Sequence, residues 1–143
     1  MQREVLGLLF GAMLLTGCSP DTPAPEAAAS SGVEGGAAQD QEFPDIVEVR
    51  AARESGGTYS FDVTVSSPYD TPERYADGWR VLGPDDEVYG EHELTHDHAS
   101  EQPFTRTQSG VEIPDGVQTV TIEGRDQANG YGGGTVEVEL PTG

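Results

Sequence analysis

From Phe43 onward, apolar residues recur at every second position in short runs broken by Gly, Pro, Asp and Ser. That is the period of antiparallel strands with one face buried. The clearest run is Tyr59–Ser66, in which Tyr59, Phe61, Val63 and Val65 share one face and Ser60, Asp62 and Thr64 the other. In the run before it, Ile46 is opposite in parity to Val47 and Val49, and Glu54-Ser55-Gly56-Gly57 between the two has hairpin composition. Residues 68–78 carry two prolines and polar spacing and read as a long surface loop. Two strands follow from Trp79, around the turn Gly83-Pro84-Asp85-Asp86. A fifth run covers Phe104 to Ile113 and ends at the turn Pro114-Asp115-Gly116. In the sixth, Val120 and Ile122 alternate with Thr119 and Thr121; after the glycine-rich stretch 127–134, the last places Val136, Val138 and Leu140 on one face. No run repeats at three and four residues, so no helix is expected.

These runs predict an all-β domain: a seven-stranded antiparallel β-sandwich of immunoglobulin or fibronectin type III style. A small barrel is the alternative that periodicity leaves open. The expected core takes Tyr59, Phe61, Val63 and Val65 from one strand, and Trp79, Val81 and Leu94 from the next pair. Val120, Ile122, Val136, Val138 and Leu140 complete it.

The first residues follow a different pattern. Behind Arg3, an apolar run from Val5 to Leu15 is too short to span a bilayer and has the length of a signal-peptide core. It ends in Leu15-Thr16-Gly17-Cys18, which resembles the lipobox of bacterial lipoproteins. The resemblance implies cleavage between Gly17 and Cys18 and a lipid on Cys18; Glu4 departs from the purely basic start of such segments. Ser19, where Asp would signal retention, implies by the same resemblance the outer membrane facing the periplasm of a Gram-negative cell. Cys18 is the single cysteine, so the domain has no internal disulfide. Residues 19–42 hold Pro, Ala, Ser, Gly and acids with Val33 as the one large aliphatic residue, too little apolar area to offset the entropy of ordering them. They read as a flexible tether with a root-mean-square reach of roughly 25–30 Å. The expected division is a signal segment at 1–17, a lipidated Cys18 with its acidic linker at 18–42, and the β domain at 43–143.

Charge narrows the partners. The chain has 26 acidic residues against seven arginines and no lysine, for a formal net charge of −19. Such a surface repels phosphate backbones and anionic lipid headgroups, so nucleic acid is excluded and the membrane is met through the lipid alone. Residues 43–143 carry 20 acids and six arginines, dispersed along the chain. This suits a solvated acidic coat, as on proteins of salty habitats, or an attraction for cations.

All three histidines, His92, His96 and His98, lie within seven positions. If residues 87–95 form a strand, Val88, His92 and Leu94 point to the apolar face and Tyr89, Glu91 and Glu93 outward. On extended chain, His96 and His98 point the same way about 6.5–7 Å apart at Cα. Imidazoles so placed suit Cu2+, Zn2+ or nickel, with Glu91, Glu93, Asp97 or Glu101 completing the shell. One expectation is therefore a copper or zinc site of His92, His96, His98 and Glu101; the other is that these are plain structural histidines. A second kit overlaps it: Glu101 and Gln102 as acceptors, Arg106 as a planar donor fork and Phe104 as an apolar anchor, with Tyr131 of the Asn129–Gly134 loop as a further anchor. Phe104 fits the core equally well, and Arg106 a neighbouring carboxylate.

Three segments together, Trp79–Asp85, the stretch His96-x-His98-x-x-Glu101-Gln-Pro-Phe-Thr-Arg106, and Gly130-Tyr131-Gly132-Gly133, resemble a group of small secreted or lipid-anchored bacterial envelope proteins without an assigned activity. The resemblance implies a shared fold and compartment and gives no role to the histidines. No Gly-x-Ser-x-Gly elbow, His-Glu-x-x-His helix or phosphate-binding Gly-Lys-Ser/Thr loop occurs, and catalysis is not expected. The sequence thus predicts a lipid-anchored, non-catalytic binding or structural module that meets another envelope protein or a glycan. A periplasmic copper- or zinc-binding protein is the alternative.

Overall fold

A computed structural model describes residues 40–143; the expected signal segment, Cys18 and the tether up to residue 39 lie outside the described residues. Eight antiparallel strands form two sheets, with no helix among the described residues. The smaller sheet has the order β1 (Asp45–Arg53), β2 (Tyr59–Ser66), β5 (Phe104–Val111). The larger runs β4 (Val88–Glu93), β3 (Ala76–Leu82), β6 (Thr119–Asp126), β7 (Gly130–Tyr131), with β8 (Val136–Glu139) also paired to β6. The sheets do not close into a barrel. The count is eight where the pattern predicts seven because β7 is a two-residue strand inside the glycine-rich stretch, too short to show a period.

The core lies between the sheets. Phe61, Val63 and Val65 of β2 and Phe104 and Val111 of β5 face Trp79 and Val81 of β3 and Val120 and Ile122 of β6. In β6 the alternation is complete: Val120, Ile122, Gly124 and Asp126 are buried, while Thr119, Thr121, Glu123 and Arg125 reach the surface. Trp79 has no exposed surface, and its indole N–H donates to Gln108 Oε1 of β5 at 2.8 Å, across the interior from one sheet to the other. Val136 and Val138, expected inside, are half-buried, because β8 pairs on one side only. Tyr59 is half-buried at the start of β2.

Two bulges change the expected faces. Between Ile46 and Glu48 the β1–β2 register shifts, so Ile46 and Val49 both turn inward and Val47, 51 % exposed, turns out. A shift between Val81 and Leu82 pairs them with Gly90 and Val88, skipping Tyr89. Tyr89 therefore packs on the core and Val88 is 49 % exposed, the reverse of the strict alternation read from the sequence. Residues 68–78, expected as a surface loop, are also different: Tyr69, Asp70 and Ala76 are buried, as is Ser67 just before them.

The domain begins with a clamp on residues 41–45. Arg74 Nη2 donates to the carbonyls of Gln41 and Glu42 at 3.0 and 2.8 Å, and Asn129 Nδ2 to that of Glu42 at 3.0 Å. The Gln41 amide donates to the Phe43 carbonyl at 2.7 Å. The Arg74 guanidinium also pairs with the buried Asp126 carboxylate at 3.3 Å and covers the Tyr69 ring. Pro44 and Phe43 lie against Gly133, whose φ of +86° is left-handed and where a Cβ would overlap the Pro44 carbonyl oxygen. Gly133→Ala is expected to cost about 2–3 kcal/mol, the strain of a left-handed alanine plus displacement of this clamp. Gly56→Ala, with open space around the added Cβ, should change stability by less than about 0.5 kcal/mol. Denaturant midpoints of the two variants check the contrast.

Candidate functional site

The histidines lie in and next to the connection from β4 to β5, residues 94–103, at the same end of the domain as the clamp. Its course is fixed from below by two side chains, the buried Asp70 and the half-buried Gln102. Asp70 accepts from the backbone N–H of Ala76 with one oxygen and of His98 with the other, both at 3.0 Å. Gln102 accepts from the Ser67 N–H at 2.7 Å and donates to the Ser67 hydroxyl at 3.1 Å and the His98 carbonyl at 3.0 Å. The Leu94 N–H donates to the Asp77 carbonyl, that of Glu101 to the His98 carbonyl, and the peptide before Pro103 is cis. A buried carboxylate accepting two backbone N–H groups is a strong, charge-assisted anchor. The loop is thereby tied into the fold by side-chain hydrogen bonds to its backbone.

This anchoring separates the histidines. His92, on β4, is register partner to Trp79 and stacks on its ring, with centroids 4.2 Å apart and planes 22° apart. His98 is buried, 2 % exposed, and stacks on Phe104 at 3.8 Å and 11°. His96 is exposed and lies tilted against His98 at 4.6 Å. Glu101 Oε1 stands 3.9 Å from His98 Nε2 but is engaged by the Arg106 guanidinium. Among the described residues no three His, Cys, Asp or Glu side chains form a group able to hold a metal ion. Of the four residues expected to share copper or zinc, His96, His98 and Glu101 are neighbours, and His92 is occupied by the indole.

Of the expected recognition patch, Phe104 is 3 % exposed and belongs to the core, which removes it as a surface anchor. Arg106, on β5, pairs with Glu101 and lies over the edge of Phe104 at 5.6 Å. Tyr131 is on the other sheet, so these residues form no common patch. The phenol of Tyr131 donates to Glu91, while its ring is approached by Arg80 at 4.0 Å and Arg125 at 5.7 Å. Each arginine also holds a carboxylate, Arg80 that of Glu123 at 2.6 Å and Arg125 that of Asp77 at 2.7 Å. The outer face of the larger sheet is thus a satisfied lattice of alternating charge around one aromatic ring. Sequence reading misses Asp70, Ser67, Arg74 and Asp126 as organisers, because nothing local distinguishes them from loop polar residues.

His98 has an unusual environment. Neither ring nitrogen has a hydrogen-bond partner within the protein, although both are buried. Burial, then the positive Arg106 and the neighbouring His96, hold its pKa below the ordinary histidine value, against smaller opposing effects of Glu101 and Asp70. His92 is lowered as well, by burial.

No known family profile and no solved structure matches the chain. A protein of Halomicrobium mukohataei named "Putative lipoprotein" is 35 % identical to it over 99 residues, which make up 69 % of this chain and 48 % of that protein. The chain therefore spans about half the length of this relative.

The lowered His98 pKa has a definite sign. Between the folded value and the unfolded value near 6.5, the unfolded chain binds the proton and the folded one does not. The contribution is fully present above about pH 6.5 and is lost as pH falls toward the folded pKa. His98→Phe keeps a ring on Phe104 and removes two orphaned polar atoms, each class of which costs about 1–3 kcal/mol when buried alone. The variant should be at least as stable as wild type near pH 7.5, and its unfolding midpoint should fall less steeply between about pH 7 and 5.5. A loss above about 2 kcal/mol at pH 7.5 would show that the imidazole nitrogens are partnered in solution.

Proposed function

We propose that this is a lipid-anchored protein of the cell envelope, attached through Cys18, whose β domain acts by binding and not by catalysis. The observation that carries the anchor is the pairing of the lipobox-like Leu15-Thr16-Gly17-Cys18 with a relative that bears a lipoprotein name. We place the anchor in the envelope and not in a particular membrane, since only Ser19 bears on that choice. The two opposed antiparallel sheets fit a sandwich of the immunoglobulin type, a fold that presents loops at its two ends.

The non-catalytic reading is supported by how the buried aspartates and three of the arginines are engaged. Asp70 and Asp126 accept backbone N–H groups, and Arg80, Arg106 and Arg125 are each held by a carboxylate. Catalytic groups need a free proton or lone pair at a reacting atom, and these have theirs committed. We do not extend the reading to copper or zinc handling, because among the described residues no three His, Cys, Asp or Glu side chains group closely enough to hold an ion. An envelope protein or glycan is the partner class we favour. The acidic coat keeps nucleic acid away.

Membrane fractionation of the expressed chain tests the anchor. The wild type should sediment with membranes and partition into a detergent phase, and its N-terminal peptide should begin at Cys18 with added lipid mass. Cys18→Ser should move to the aqueous fraction. Identical partitioning of the two would overturn the proposal.

A further inference from the structure

A cavity of about 480 Å³ lies at the end of the domain away from the clamp. β1 connects the two: it starts beside the clamp at Asp45 and delivers Arg53 to the cavity, about 26 Å further on for an extended chain of this length. Tyr59 from the start of β2, Ile113 and Val117 from the β5–β6 connection and Leu140 after β8 supply its apolar wall. All four also pack against the core, so the wall is held in place from behind. The volume is in the range of small-molecule sites.

Its charges are more informative than its size. Arg50, Arg74, Arg80, Arg106 and Arg125 each pair with a carboxylate. Arg53 is the one arginine among the described residues that forms no ion pair, although 20 acids share residues 43–143. Its guanidinium stands over the Tyr59 ring at 6.0 Å. Asp115 and Glu139, both exposed, line the same cavity. One donor fork, two carboxylates and an apolar wall therefore converge on one space.

We infer that this cavity binds a small zwitterion with an apolar body, such as a free amino acid with a large apolar side chain. The ligand carboxylate meets the Arg53 fork, the ammonium faces Asp115 and Glu139, and the body lies on Tyr59, Ile113 and Val117. A simple anion would meet the negative field of the cavity and of the whole domain. A simple cation would be repelled by Arg53 and leave its donors unanswered. The inference goes beyond the protein or glycan partner of the proposed function and does not depend on the lipid anchor.

The test is an NMR titration of the full chain in detergent micelles with L-phenylalanine, 3-phenylpropionate and phenethylamine. L-Phenylalanine should give saturable shifts at Tyr59, Ile113 and Val117 with a Kd below about 1 mM. Each singly charged analogue should bind at least about tenfold more weakly. Arg53→Ala, at an exposed position, and Glu139→Gln should each weaken L-phenylalanine by about tenfold or more, with the rest of the spectrum unchanged. Absence of saturable shifts below about 10 mM, equal affinity for the three probes, or indifference to both substitutions would overturn the inference. If Cys18-dependent membrane partitioning persists in that event, the anchor proposal stands and the ligand alone is wrong.

Discussion

The hydrogen bond from Trp79 to Gln108 is the constraint around which the interior is arranged. An indole can be fully buried without penalty only if its N–H finds an acceptor, and here the acceptor comes from the facing sheet. Gln108 supplies it from β5, which fixes the level of β5 against β3 and so the offset of the two sheets. Neighbouring positions are small where this arrangement requires it. Gly124 is the register partner of Trp79 on β6, with Pro44 and Ile46 filling the space a side chain would take. A Cβ at Gly90 would press on the Gln108 amide at 3.0 Å. His92 then covers the indole face toward β4. An imidazole that looks like a metal ligand in the sequence is therefore part of the core's lining.

The abundance of acids has two structural meanings. Most are exposed and form the solvated coat that a charge of −19 implies. Asp70 and Asp126 are different: both are buried, and both tie loops at the clamped end by accepting backbone N–H groups. Their carboxylates replace the ladder hydrogen bonds that loops lack, so the connections at that end become as ordered as the strands. Arg74 balances Asp126 and spreads its remaining donors over the incoming chain. Of the two buried carboxylates, Asp126 is thus paired with a base, while Asp70 is answered by backbone N–H groups alone.

Strands buried on one face and paired on both edges are the part of this fold that is legible in the sequence. β2 and β6 lie at such positions, and Phe61, Val63, Val65, Val120 and Ile122 are where alternation puts them. Alternation misleads at Val47, Val88 and Tyr89, because a bulge inserts one residue and reverses the parity beyond it, and no residue type at these places announces one. The histidine group is misleading for another reason. Nearness along the chain joins His92 to His96 and His98, while the end of β4 parts them: His92 stacks on Trp79, His98 stacks on Phe104, and the exposed His96 lies against His98. Asp70 is illegible in a different sense, since its role rests on N–H groups of Ala76 and His98 that only the fold brings to it.

The entry of the chain into β1 beside the clamp has a mechanical consequence. β1 is paired with β2 along nearly its whole length and touches Gly134 through the Ile46 N–H. A pull between the start of β1 and the far end of the domain therefore runs parallel to the strands. Loaded this way, the ladder bonds share the force and must fail together, whereas a pull across the strands would open them one after another. Load entering through the N-terminal end of the domain thus meets it along its stiffest direction.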